Sequence, residues 1–184
     1  MTTVTPLALP EVLLITPRRH GDARGWFSET WSRRTLSALG IDADFVQDNQ
    51  AFSARSGTIR GLHFQHPPHA EAKLVTCVRG RVFDVAVDLR RGSPTFLHWH
   101  AVELSAERHN SLLIPPGFAH GFQTLEDDCE LIYLHSTPYA AGAEGGLHPL
   151  DNALAIAWPQ AMTACSERDR QHPALTDAFT GLNV

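Results

Sequence analysis

Prolines and glycines interrupt this chain so often that a long helix has almost nowhere to run. Pro17, Gly21, Gly25, Gly57, Pro67-Pro68, Gly80, Gly92-Ser93-Pro94, Pro115-Pro116-Gly117 and Pro138 break it at short intervals. Between the breaks lie short runs rich in β-branched and aromatic residues: Lys73 to Val78, Arg81 to Leu89, Phe96 to Leu104 and Glu130 to Leu134. Such side chains fit a pleated, half-buried surface, while Gly and Pro supply the turns. The spacing predicts an all-β chain, an antiparallel sandwich or barrel. Only Ser28 to Leu39 has a helical composition, with Gly40 placed to stop it. Near the C-terminus, Ser166-Glu167-Arg168-Asp169 resembles a second helix start.

At 184 residues the chain is expected to form one domain spanning 1–184, with roughly 70% of its unfolded surface buried. No apolar run approaches the roughly 20 residues of a membrane span. The short stretch Val12 to Ile15 lacks the basic cluster of a signal peptide, so neither membrane nor export is expected. Cys77, Cys129 and Cys165 are odd in number and widely spaced, which argues against disulfides or a zinc knuckle and for a cytoplasmic location. A net charge of −5 argues against a nucleic-acid partner. It still permits an anionic small ligand held by a few local arginines.

Alternation places side chains on faces. In Arg81 to Leu89, Phe83, Val85 and Val87 share one face, and Asp84 and Asp88 the other. Leu131, Tyr133 and His135 share a face of their strand. The run Gly57-Thr58-Ile59-Arg60-Gly61-Leu62-His63-Phe64 puts an arginine and a histidine three apart in strand-like sequence. Strict alternation points them to opposite faces unless Gly61 marks a bulge. Another histidine, His120, follows the Pro115-Pro116-Gly117 turn. If the two segments meet in one pocket, proton chemistry is expected there, because polar groups in buried strands are costly unless paired or used.

His63 has the intrinsic pKa to take a proton near neutrality. Arg60 and Lys73 flank it on what reads as one hairpin turned at Pro67-Pro68, and two cations beside a histidine suit an anion or a developing oxyanion. Tyr133 could give a proton to a carbanion. A metal site is the first rival, since His63, His66, His69, Glu71 and His120 form an imidazole–carboxylate inventory. Their spacing is poor, and the one His-x-His pair, His98 and His100, sits in a different strand. No metal or other cofactor is expected. The chain also lacks a Gly-x-Ser-x-Gly elbow and a glycine-rich phosphate loop.

Together the motifs resemble the dTDP-4-dehydrorhamnose 3,5-epimerase family across nearly the whole chain. They run from Asp22-x-Arg24-Gly25-x-Phe27-x-Glu29 and Val46-Gln47-Asp48-Asn49 to Arg60-Gly61-Leu62-His63-Phe64-Gln65 and Lys73-Leu74-Val75. Asp84 to Arg90, Gly92-Ser93-Pro94-Thr95, Ile114-Pro115-x-Gly117-Phe118-Ala119-His120-Gly121-Phe122, Tyr133, Tyr139, Trp158-Pro159 and Ser166-Glu167-x-Asp169 follow in order. The resemblance implies a metal-free, cupin-type jelly-roll β-barrel with a few short peripheral helices, dimerising by exchange of N-terminal strands. It implies an isomerase acting on a dTDP-4-keto-6-deoxyhexose at carbon 3, carbon 5 or both. His63 would be the base, Asp169 its orienting carboxylate, Lys73 the enolate stabiliser and Tyr133 the acid on the opposite face.

The resemblance likewise assigns Arg24 and Arg60 to the diphosphate, Phe27 and Tyr139 to the faces of the thymine, and Glu29 to its polar edge. Gln47, Asn49, His120, Glu144 and Arg168 fall at further ligand-binding positions, with Arg24, Phe27 and Glu29 supplied by a neighbouring subunit. The chain departs from the family pattern at Gln50-Ala51-Phe52, at Leu134, at Pro149, and at Arg168 where the family has lysine. These departures leave two alternatives: inversion at one centre only, or a silent sugar-nucleotide binder.

Overall fold

The computed structural model describes residues 1–9 and 11–184. Its strands are β1 (Thr3–Pro6), β2 (Leu13–Thr16), β3 (His20–Asp22), β4 (Gly25–Phe27), β5 (Gln47–Ser53), β6 (Ile59–Gln65) and β7 (Lys73–Arg79). They continue as β8 (Arg81–Asp88), β9 (Trp99–Ser105), β10 (Ser111–Ile114), β11 (Phe118–Thr124), β12 (Cys129–His135) and β13 (Glu144–Gly146). Two short α-helices, α1 (Arg33–Ala38) and α2 (Glu167–Arg170), and a single 3-10 turn at Ala141–Ala143 complete the set among the described residues. A six-stranded sheet has the order β1-β2-β10-β7-β12-β5, a five-stranded sheet the order β13-β6-β11-β8-β9, and β3-β4 form a separate hairpin. The all-β expectation is met, as two facing sheets that do not close into one hydrogen-bonded barrel.

The alternation of β8 shows how the layers form. Val82 and Ala86 join Val75, Leu112, Phe122 and Leu131 in a core shared by both sheets. Val85 and Val87 point the other way, onto Leu147, Leu154 and Leu182 of the C-terminal segment. The outer face of the six-stranded sheet is covered by Leu36 of α1 and by Ile41, which pack on Leu74 and Leu113. Each fully buried aliphatic side chain contributes about 1.5–3 kcal/mol. Asp84 lies on the inner face of β8, wholly buried.

Three expectations need correction. The segment Lys73 to Val78 is a strand, but β6 and β7 belong to different sheets, so Pro67-Pro68 turns a crossover and not a hairpin. The helix read over Ser28 to Leu39 is confined to α1 because Ser32 is extended and caps it, its hydroxyl accepting from the Thr35 N–H at 3.4 Å. The strand read from Phe96 begins only at Trp99, because Leu97 (φ 62°) bends the chain in a left-handed turn. No helix among the described residues is long and apolar enough to cross a membrane.

Candidate active site

A cavity of about 250 Å³ opens between the sheets. Asn49, Gln50, Ala51, Lys73, Tyr133 and His135 line it from the six-stranded sheet, and Arg60, His63, His120 and Phe122 from the five-stranded one. Arg60 and His63 do share it, by the glycine device that alternation required. Opposite β6, His120 pairs with His63 and Phe122 with Arg60, so three steps on β6 match two on β11. Gly61 adopts φ 121°, and a Cβ there would lie 2.6 Å from the Gly121 Cα. Only glycine fits that approach.

The imidazole of His63 is held from behind. Its Nε2 lies 2.7 Å from Asp169 Oδ1, and Asp169 Oδ2 accepts the Gly61 N–H at 3.0 Å. Ser166 caps α2 by accepting the Asp169 N–H at 3.0 Å, which presents this carboxylate to β6. Burial alone would raise the Asp169 carboxyl, but the hydrogen bonds from His63 and Gly61 hold it well below the usual carboxylate range. An ionised carboxylate can only accept, so Nε2 carries a proton, and in the neutral ring the basic nitrogen is Nδ1.

Across the cavity, burial and then the charge of Asp84 push the Tyr133 phenol above its ordinary value. It is therefore a neutral donor at physiological pH. Its ring packs edge-on to His120 at 6.0 Å between centroids. His120 Nε2 lies 2.9 Å from Asp84 Oδ1, and burial raises the Asp84 carboxyl despite the opposing influence of His120 and Lys73. Lys73 is 7% exposed, with its Nζ 3.2 Å from Glu71 Oε1 and 3.3 Å from the His63 carbonyl. Arg60 donates to Ser53 Oγ at 3.0 Å and to the Phe52 carbonyl at 2.8 Å.

Next to His63 lies a polar cluster. Arg168 donates to Glu144 Oε1 at 2.8 Å and approaches His63 Nε2 to 3.3 Å, while the Tyr139 hydroxyl donates to Glu144 Oε2 at 3.0 Å. Gln47 accepts the Tyr139 N–H at 3.0 Å and donates to Asn49 at 3.1 Å. Arg24, Phe27 and Glu29 do not line this cavity within the chain. Arg24 is paired with Asp22 at 2.5 Å, Phe27 is 73% exposed, and Glu29 accepts from Thr35 at 2.6 Å.

The rival metal inventory of His63, His66, His69, Glu71 and His120 is not gathered at one point. Among the described residues, ligand atoms cluster instead at His63, Asp169 and His172, within 4.8 Å of one another. Arg168 lies 3.3 Å from His63 Nε2 and 3.5 Å from Asp169 Oδ1, so a guanidinium already crowds those atoms. That is poor company for a cation. Asp84 and His135 were not singled out from sequence as site residues. Their signals were present, an aspartate on the inner face of β8 and a histidine two positions along the strand face from Tyr133.

The family model for dTDP-4-dehydrorhamnose 3,5-epimerase matches residues 6–177. A protein of that description from Sinorhizobium fredii is 47% identical over 93% of this chain and 88% of its own length. The structure resembles a crystal structure of dTDP-4-dehydrorhamnose 3,5-epimerase from Bacillus anthracis with TDP and PPi bound, at TM-score 0.92 and 43% identity, covering 95% of this chain and 100% of that one. It also resembles a 3′-monoepimerase from Streptomyces bikiniensis in complex with dTDP-quinovose, at TM-score 0.84 and 38% identity, covering 92% and 86% of the two chains. Motif order, cupin-type jelly-roll fold and extent of match agree from one end of the chain to the other: it belongs to the dTDP-4-dehydrorhamnose 3,5-epimerase family.

Proposed function

We propose that this chain is an isomerase that epimerises a dTDP-4-keto-6-deoxyhexose next to its ketone. The observation that carries the reading is one cavity lined by both His63, whose Nε2 is backed by Asp169, and the buried phenol of Tyr133. The ketone at carbon 4 acidifies the neighbouring C–H bonds. His63 takes such a proton, the electron pair moves onto the ketone oxygen, and Lys73 stabilises the resulting enolate. Asp169 holds the imidazolium that forms. Tyr133 delivers its proton to the same carbon from the opposite face, which inverts the centre and restores the ketone. Solvent then carries the proton from the His63 imidazolium back to the phenolate, so both groups are regenerated.

Arg60, Asn49, His120, Gln47, Tyr139, Glu144 and Arg168 bind the substrate from the same chain. Arg24, Phe27 and Glu29 do so from the partner in a homodimer that exchanges N-terminal strands. The enzyme works in the cytoplasm. The resemblance to a 3′-monoepimerase keeps inversion at a single centre as a second reading. Incubation with substrate in deuterium oxide, followed by NMR, decides among the readings. Label at both carbons supports double epimerisation, label at one carbon the single-centre alternative, and label at neither overturns the reaction.

A further inference from the structure

Glu71 and His135 have no part in the mechanism above, yet they tie its two halves together. Glu71 precedes β7 with its side chain 7% exposed, and His135, at 12%, ends β12 opposite Lys73. The polarity of the hydrogen bonds between them is fixed from a backbone amide. The Tyr139 N–H can only donate, and it donates to Gln47 Oε1 at 3.0 Å. Gln47 Nε2 must then donate to Asn49 Oδ1 at 3.1 Å, and Asn49 Nδ2 to His135 Nε2 at 3.1 Å. With Nε2 accepting, the ring proton of neutral His135 sits on Nδ1 and goes to Glu71 Oε2 at 3.0 Å.

A second path is fixed in the same way. The Ala140 N–H donates to Gln65 Oε1 at 2.6 Å, and Gln65 Nε2 donates to Glu71 Oε2 at 3.1 Å. The remaining oxygen of Glu71 faces the Lys73 ammonium at 3.2 Å. His135, Gln65 and Lys73 thus each direct a donor at one carboxylate. Burial would raise the Glu71 carboxyl, but His135 and Lys73 outweigh burial and hold it below its ordinary value, so it is ionised as the network requires.

We propose that Glu71 is a positioning residue that sets the Lys73 ammonium and, through His135 and Gln65, registers the Tyr139–Ala140 segment against it. The inference rests on the roles proposed for Lys73, Asn49 and Tyr139. It adds that nucleotide binding and enolate stabilisation share one hub. His135 acts through Asn49 and Gln47 on the binding side; Glu71 acts on both sides.

The test measures kcat and KM for the keto-sugar, and separately the Kd for dTDP by calorimetry. Glu71→Gln removes the charge at constant shape and is expected to lower kcat about tenfold and raise KM several-fold. His135→Ala is expected to weaken dTDP binding about tenfold with a smaller effect on kcat. His135→Gln, which can still accept from Asn49 and donate to Glu71, is expected to recover most of that affinity. A role in packing alone predicts no such recovery.

Wild-type dTDP affinity in His135→Ala overturns the inference, and so does wild-type kcat in Glu71→Gln. Should Glu71→Gln fail to fold, the two His135 variants decide the matter through the Kd. A wild-type protein that binds dTDP but washes in no deuterium refutes the reaction, whereas the His135 affinities still judge the network.

Discussion

His63 and Tyr133 are chemically opposite groups, and their neighbours make them so. The carboxylate of Asp169 favours the neutral imidazole tautomer with its proton on Nε2, and burial keeps the phenol neutral. This division predicts that abstraction and redelivery come apart in Tyr133→Phe. Turnover to inverted product is expected to fall by roughly 10²–10⁴-fold, the range for losing one general acid. Exchange of substrate hydrogen with solvent on the His63 side should persist at a measurable rate. NMR in deuterium oxide, tracking label and configuration together, reads both; loss of exchange in step with inversion would count against Tyr133 as the acid. As candidates, His63, Tyr133, Asp169 and Lys73 were legible because motif order named them. Their distances were not, since Asp169 reaches His63 from 106 positions away through a cap on α2.

Strands were the legible elements, because β-branched runs and Pro-Gly breaks act locally. Which sheet a strand joins was not: β6 and β7 follow each other in sequence yet face each other across the cavity. That choice is made by the inner-face core, to which side chains from across the chain contribute. The bulge at Gly61 was legible only as a condition, and the pairing of β6 with β11 meets it. The corner after β8 is a further element whose stability can be tested. Asp88 is fully buried and accepts from Arg90 at 2.8 and 2.9 Å, from Ser93 at 2.6 Å and from Thr95 at 2.7 Å.

Burial would raise the Asp88 carboxyl, but these donors drive it well below its ordinary value. A carboxylate depressed by folding adds stability that is fully present above its unfolded pKa of about 3.9 and is lost as pH falls toward the folded value. Asp88→Asn should therefore cost about 1–3 kcal/mol near pH 7. It should also flatten the loss of stability below about pH 4 relative to the parent protein. Urea denaturation at a series of pH values measures both. A variant whose acid limb runs parallel to the parent's would assign the corner's stability to something other than this carboxylate.

At the scale of the whole molecule, one fact stands out: the chain builds the cavity around His63 and Tyr133 but leaves Arg24, Phe27 and Glu29 outside it. The β3–β4 hairpin that carries Arg24 and Phe27 shares no sheet with the rest, and Trp26 and Phe27 on it are 55% and 73% exposed. Aromatics left this exposed side by side on a separate hairpin are expected to bury themselves against another surface. If that surface is a second copy, each complete site draws the imidazole from one chain and the arginine from the other. Two dead variants should then rescue one another. When His63→Ala and Arg24→Ala chains are mixed and allowed to reassort, half the dimers are mixed, and each has one intact and one doubly damaged site. Activity should return to about a quarter of the wild-type level, a figure set by the symmetry of a two-fold dimer alone. If each chain used its own hairpin, every site in the mixture would keep one lesion and no activity would return.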